Sequence, residues 1–176
     1  ISEEHEKLKV DPEKIIVCGD SAGGNLASVL SIYNRDILKK NIFYQILIYP
    51  ATTFSTYFPS KEKYEGIILS KELMEWFEKK YLPEENKKKF INDWRLSPTK
   101  SKNLKNLPPT LLILAECDPL YDEGNYFAEL LKKNHNNVEV KIYKGQIHGF
   151  LTMGGYIRDT NLMIEMIKNR INSILN

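Results

Sequence analysis

The stretch KIIVCGDSAGGNLA, residues 14–27, passes from an apolar run through a small-residue turn into a helical pattern. KIIVC is short, continuous and β-branched, which suits a strand covered on both faces. Beyond the turn, residues 25–33 (NLASVLSIY) put Leu26, Val29, Leu30 and Tyr33 on one helical stripe. The turn itself is GDSAGG, Gly19 to Gly24. A G-x-S-x-G pattern alone is weak, and a phosphate-binding glycine turn would share its spelling. A buried strand directly before it and a helix directly after it make it a nucleophile elbow. In that arrangement Gly19 and Gly23 allow strand and helix to approach where a Cβ would collide, with Asp20 and Gly24 completing the elbow. Ser21 is expected at the strained tip, with the Ala22 N–H at the helix start facing any developing negative charge.

The alternation continues outward from this turn. Residues 44–49 (YQILIY) form a second strand ended by Pro50, and residues 110–115 (TLLILA) a third, after Pro108 and Pro109. Residues 122–133 read as a helix with Phe127, Leu130 and Leu131 apolar. Residues 138–143 (VEVKIY) alternate Val138, Val140 and Ile142 with Glu139 and Lys141, as suits an edge strand guarded by charge. Residues 156–175 form an amphipathic helix with Ile157, Met163, Ile164, Ile167 and Ile171 available for its stripe. Between the second and third strands lies a long insertion, about residues 51–107, with a helix near 70–81 and a polar Lys/Asn-rich stretch after Pro83. Such an insertion in a βα repeat is expected to carry its own structure over a site. The pattern implies an α/β fold: one domain over residues 1–176, with a mainly parallel sheet of about four strands flanked by helices on both faces. Right-handed crossovers then bring every strand-to-helix loop to one edge of the sheet.

A serine hydroxyl needs a base to remove its proton. Of the three histidines, His5 lies in a charged leader and His135 in KKNHNN, and both read as exposed; His148, in GQIHGF, falls on the rim that holds Ser21. The base needs a carboxylate to fix its tautomer. Asp118 follows the third strand, which should neighbour the edge strand bearing His148; it is favoured on that placement over Glu116 and over Asp122, which resembles a helix N-cap.

The chain of 176 residues is 42% hydrophobic and 27% charged, a composition that supports one core. A net charge of +2, from 25 basic and 23 acidic residues, gives no reason to expect nucleic acid, and the lysine runs read as solvated surface. No apolar stretch reaches the roughly 18 residues of a membrane span. Cys18 and Cys117 have neither CxxC nor metal-ligand spacing. They are expected as buried free thiols in a reducing compartment, the cytoplasm, and a separation of roughly 10 Å would exceed the disulfide limit of about 7 Å.

The serine–aspartate–histidine order is that of the α/β-hydrolases. GDSAGGNLA around Ser21, DPLYDEG from Asp118 to Gly124 and IHGF from Ile147 to Phe150 resemble the hormone-sensitive-lipase-like carboxylesterases and lipases, and LIYP and LPP fit as well. The resemblance covers essentially the whole chain. It implies a triad of Ser21, Asp118 and His148, hydrolysis of short or medium acyl esters through an acyl-enzyme, no metal or cofactor, and a partial helical cap in residues 51–107. Members of that family carry an HGGG-type segment before the elbow that completes the oxyanion hole. No HGG occurs in these residues, so the chain resembles the C-terminal part of such an enzyme. An oligopeptidase of the same fold and a split or degenerate hydrolase that only binds a partner are the competing readings. The apolar first strand, left as an edge, leads us to expect a homodimer or a complementing N-terminal chain.

Overall fold

The structure, a computed structural model, describes residues 3–175. Its element order is α1 (His5–Leu8), β1 (Ile16–Asp20), α2 (Ala22–Tyr33), β2 (Tyr44–Ile48), α3 (Ser60–Lys63), α4 (Lys71–Tyr81), α5 (Glu84–Phe90), β3 (Thr110–Cys117), α6 (Tyr121–Lys133), β4 (Val138–Ile147) and α7 (Arg158–Leu175). The strands pair in the order β1-β2-β3-β4, all parallel. Successive strands stepping in one direction require right-handed crossovers on a single face. Accordingly, α2 and α6 pack on one face around Leu47, Leu112, Leu114 and Phe127. On the other face α7 packs Met163, Ile167 and Ile171 against Ile46, Ile48, Leu111 and Ile113.

The central strands are apolar because both their faces are covered. Every residue of β2 is buried, and Leu111 to Ala115 of β3 are fully inaccessible. Truncating any of these leucines to alanine should cost about 2–5 kcal/mol. One polar residue is built into this layer: Gln45 accepts from Ser31 Oγ at 2.9 Å and donates to Thr110 Oγ1 at 2.7 Å. Its amide thus ties α2 to β2 and β3, with both its oxygen and its nitrogen hydrogen-bonded.

Three expectations need correction. First, β1 is only half-buried and extends to Asp20. Among the described residues it is an edge strand, as expected, but Cys18 is exposed rather than buried, while Cys117 is half-buried; both are free. Second, α2 turns its small and polar face to the sheet: Gly24, Ala27, Ser28, Ser31 and Ile32 are buried. Leu26, Leu30 and Tyr33 of the apolar stripe are exposed. The helix sits close to the sheet; Ser28 donates its hydroxyl to Gly24 O one turn back, and the one Ser31 hydroxyl proton is shared between Ala27 O at 3.0 Å and Gln45 Oε1. Third, Ile164 of α7 is exposed while Met163 takes the core position.

Residues between β2 and β3 form α3, α4 and α5. Ser70 caps α4 by accepting from the Leu73 N–H at 3.1 Å. No residue of α4 is fully buried, and its Met74, Phe77 and Tyr81 lie over a cavity beside Ser21.

Candidate active site

Only Ser21 separates β1 from α2, so the turn is sharper than a six-residue loop. Its backbone is held at φ 52°, ψ −117°, a conformation costly for a residue with a Cβ. The turn persists because its neighbours over-determine it. The Ser21 N–H donates to Ile48 O, and Ser21 O accepts from Ala51 and Asn25 N–H. The Asn25 amide bridges the carbonyls of Ala51 and Leu96 at 2.9 and 2.8 Å. A Cβ on Gly19 would lie 2.2 Å from Gly23 O, and one on Gly24 would lie 2.7 Å from Pro50 Cβ. Gly23 is different: a Cβ there meets nothing closer than Asp20 Oδ1 at 3.8 Å, so the close approach expected of it belongs to Gly24. Ala22 is the first helical residue, and its N–H has no carbonyl within its own helix to bond.

β4 leaves the sheet at Ile147, and His148 follows directly. Gly149, at φ 77°, turns the chain away in a conformation glycine adopts freely. This brings the imidazole over the elbow, with His148 Nε2 3.0 Å from Ser21 Oγ and Nδ1 2.7 Å from Asp118 Oδ2. The other Asp118 oxygen accepts from the Leu120 N–H at 2.8 Å, so the carboxylate is fixed from both sides and fully buried. With Oδ2 as acceptor, Nδ1 carries the proton and Nε2 is left as a base toward the hydroxyl. Tyr49 packs its ring 4.8 Å from the imidazole, and burial raises its phenol, which therefore stays protonated.

The structure thus brings Ser21, Asp118 and His148 together and sends the alternatives elsewhere. Glu116 accepts from the Gly145 N–H, and Asp122 from the Ser60 N–H; Asp122 does not cap its own helix, whose N-cap is Leu120. His135 is exposed as expected, whereas His5 is half-buried. Among the described residues no cluster of His, Cys, Asp and Glu could hold a metal, and no helix is long and apolar enough to cross a membrane.

Beside Ser21 opens a cavity of about 450 Å³. Its walls are apolar, with Leu26, Phe54, Leu69, Met74, Phe77 and Tyr81. Four charged side chains, Lys61, Glu78, Lys80 and Glu123, interrupt them. Glu123, on α6, is fully buried and pairs with Lys61 of α3 at 3.0 Å. Burial pushes the Glu123 carboxyl up, while Lys61 pulls it back. Glu78 on α4 is also raised by burial and lowered by Lys61. Sequence reasoning missed Tyr49, Lys61 and Glu123: a Tyr before a strand-ending Pro, a Lys in a polar insertion and a Glu in a helix's first turn carry no mark of burial.

Similarity to known proteins agrees with this geometry. A family model described as alpha/beta hydrolase fold matches residues 1–152. An ethyl acetate hydrolase of Pseudomonas putida is 32% identical over 171 residues, 94% of this chain and 52% of that protein. A carboxylic ester hydrolase of Mycobacterium tuberculosis, LipN, is 32% identical over 93% of this chain and 45% of its own length. A hyperthermophilic esterase from the archaeon Pyrobaculum calidifontis superposes with a TM-score of 0.92 at 38% identity, covering 99% of this chain and 57% of the other. The chain therefore spans about half the length of the curated relatives it matches. The four-stranded parallel sheet, the family match and the structural likeness lead to one assignment: the chain belongs to the α/β-hydrolase family, in its hormone-sensitive-lipase-like branch.

Proposed function

We propose that this chain carries the triad of a serine carboxylic-ester hydrolase acting through an acyl-enzyme on short or medium acyl esters. The observation that carries the reading is the unbroken line Ser21 Oγ–His148–Asp118 at the mouth of an apolar cavity. Ser21 Oγ attacks the ester carbonyl while His148 Nε2 takes its proton. The imidazolium is stabilised by Asp118 and then protonates the departing alcohol. Water, activated by the same imidazole, releases the acid and frees Ser21. The Ala22 N–H, at the start of α2, is one donor to the tetrahedral oxyanion.

Among the described residues the edge of β1 beside the elbow is open, and a complementing chain or second copy paired there would bring a second donor. Loss of one oxyanion donor typically costs a factor of about 10²–10³, so the chain alone should turn over slowly but still react at Ser21. Its free thiols fit work in a reducing compartment, the cytoplasm. A fluorophosphonate probe tests the proposal, with the Ser21→Ala variant as control. Labelling at Ser21 together with hydrolysis of p-nitrophenyl butyrate is the expected result. Absence of both would defeat the reading.

A further inference from the structure

The loop that leaves β2 forms one side of the elbow, and a buried ion pair holds it there. Ala51 N–H donates to Ser21 O at 3.1 Å. The next two N–H groups, of Thr52 and Thr53, both point at Glu123 Oε1, at 2.6 and 3.3 Å. Thr52 closes the contact with its hydroxyl, which donates to Glu123 O at 2.9 Å. Successive N–H groups converging on one carboxylate oxygen make an anion-binding concavity, and the bonds are charge-assisted and correspondingly strong.

A wholly buried carboxylate stays charged only with a compensating cation. Lys61 supplies it, its ammonium 3.0 Å from Glu123 Oε2. Lys61 is itself anchored by its neighbour: Ser60 N–H donates to Asp122 Oδ2 at 2.8 Å, and Ser60 Oγ donates to Pro119 O at 2.8 Å. The pair therefore joins three segments, namely the elbow through Ala51, the loop bearing Asp118 through α6, and the insertion through α3.

Resting on the ester-hydrolase reading above, we infer that Glu123 is a positioning residue for Ser21 and the substrate cavity, and that Lys61 is the counter-ion that keeps it in that role. Neither touches the reacting atoms. Glu123 acts through the Ala51–Thr53 backbone, and an error of about 1 Å in such a frame is worth roughly 10²-fold in rate.

The experiment compares Lys61→Met, Lys61→Gln, Lys61→Arg and Glu123→Gln in the full chain. The readouts are the rate of fluorophosphonate labelling at Ser21, kcat and KM for p-nitrophenyl butyrate, and the Thr52 amide proton shift. Lys61→Met and Glu123→Gln should slow labelling about 10- to 100-fold and lower kcat more than they raise KM. Both should move the Thr52 proton upfield from the position its short bond to a carboxylate gives it. Lys61→Arg, which keeps the charge, should recover labelling to within about threefold of the parent. Should Lys61→Met fail to fold, the contrast between Lys61→Gln and Lys61→Arg carries the same test. Folded variants that label at the parental rate, or an unmoved Thr52 proton in Glu123→Gln, would overturn the inference. A parent chain that is not labelled would defeat the hydrolase reading, while the Thr52 proton would still report on the tie.

Discussion

Replacing Asp118 with asparagine changes one atom of the site, and its consequence follows from the two hydrogen bonds the carboxylate accepts. Oδ2 faces His148 Nδ1 at 2.7 Å, and Oδ1 accepts from the Leu120 N–H at 2.8 Å. An amide has only one acceptor oxygen. If it keeps the Leu120 bond, its NH₂ group points at Nδ1, which must then accept; the proton moves to Nε2, and Ser21 has no base. In the opposite orientation the amide N–H₂ confronts the Leu120 N–H in a buried site. That costs about 1–3 kcal/mol, leaving about one molecule in 5 to one in 150 competent. The competent fraction also lacks the anion that stabilises the imidazolium, an attraction of about 4 kcal/mol at an effective dielectric near 20, or up to about 10³ in rate. Together these give a loss of about 10⁴, the size seen for the same change in a serine-protease triad. Labelling kinetics and p-nitrophenyl butyrate turnover measure it, with circular dichroism confirming that the isosteric variant is folded. A folded Asp118→Asn chain reacting within about tenfold of the parent would refute the tautomer argument.

Further expectations come from the elbow and the buried pair. Gly19→Ala, whose Cβ would lie 2.2 Å from backbone, should destabilise by more than about 3 kcal/mol, whereas Gly23→Ala, with nothing nearer than 3.8 Å, should be neutral or stabilising by up to about 1 kcal/mol; urea melts giving the reverse order would contradict the packing. Ser21→Gly should abolish labelling while raising stability by about 1 kcal/mol, because the strain at φ 52° exceeds the entropic cost of glycine; a less stable variant would mean the turn is unstrained. Burial raises the Glu123 pKa above its usual 4.5, and Lys61 opposes the shift. Removing that cation in Lys61→Met raises it further. A folded value above the unfolded one gives stability that is present below pH 4.5 and is lost as pH rises through the folded value. The melting temperature of Lys61→Met should therefore fall across the pH range above 4.5 more steeply than that of Glu123→Gln, which carries no charge to bury. Parallel curves would contradict it.

What the sequence made legible followed from short-range chemistry. The runs YQILIY and TLLILA could be read as buried parallel strands because both faces had to be apolar, and they lie at Tyr44–Ile48 and Thr110–Cys117. The rim that gathers Ser21, Asp118 and His148 followed from strand order and crossover handedness, which need no side-chain detail. Helix α2 was harder. Periodicity found the stripe of Leu26, Leu30 and Tyr33, but the sheet took the small face opposite, because close packing rewards Gly24, Ala27 and Ser28 there. Gly23 and Gly24 are equivalent in the letters, and the positions of Pro50 and the Gly19 carbonyl separate them. Glu123 carries no mark of burial in the letters; its burial depends on Lys61, which lies 62 positions earlier and reaches it only in the folded chain.

The exposure of Cys18 on β1 gives the molecule a built-in gauge. Any polypeptide that zips onto that border, with the layer it brings along, would shield this sulfur, so alkylation by a small maleimide should slow in proportion to the fraction of molecules so sheltered. Cys117, half-sheltered within β3, supplies an internal standard in the same tube. Assembly at this margin can thus be followed without a tag, a dye or a mutation.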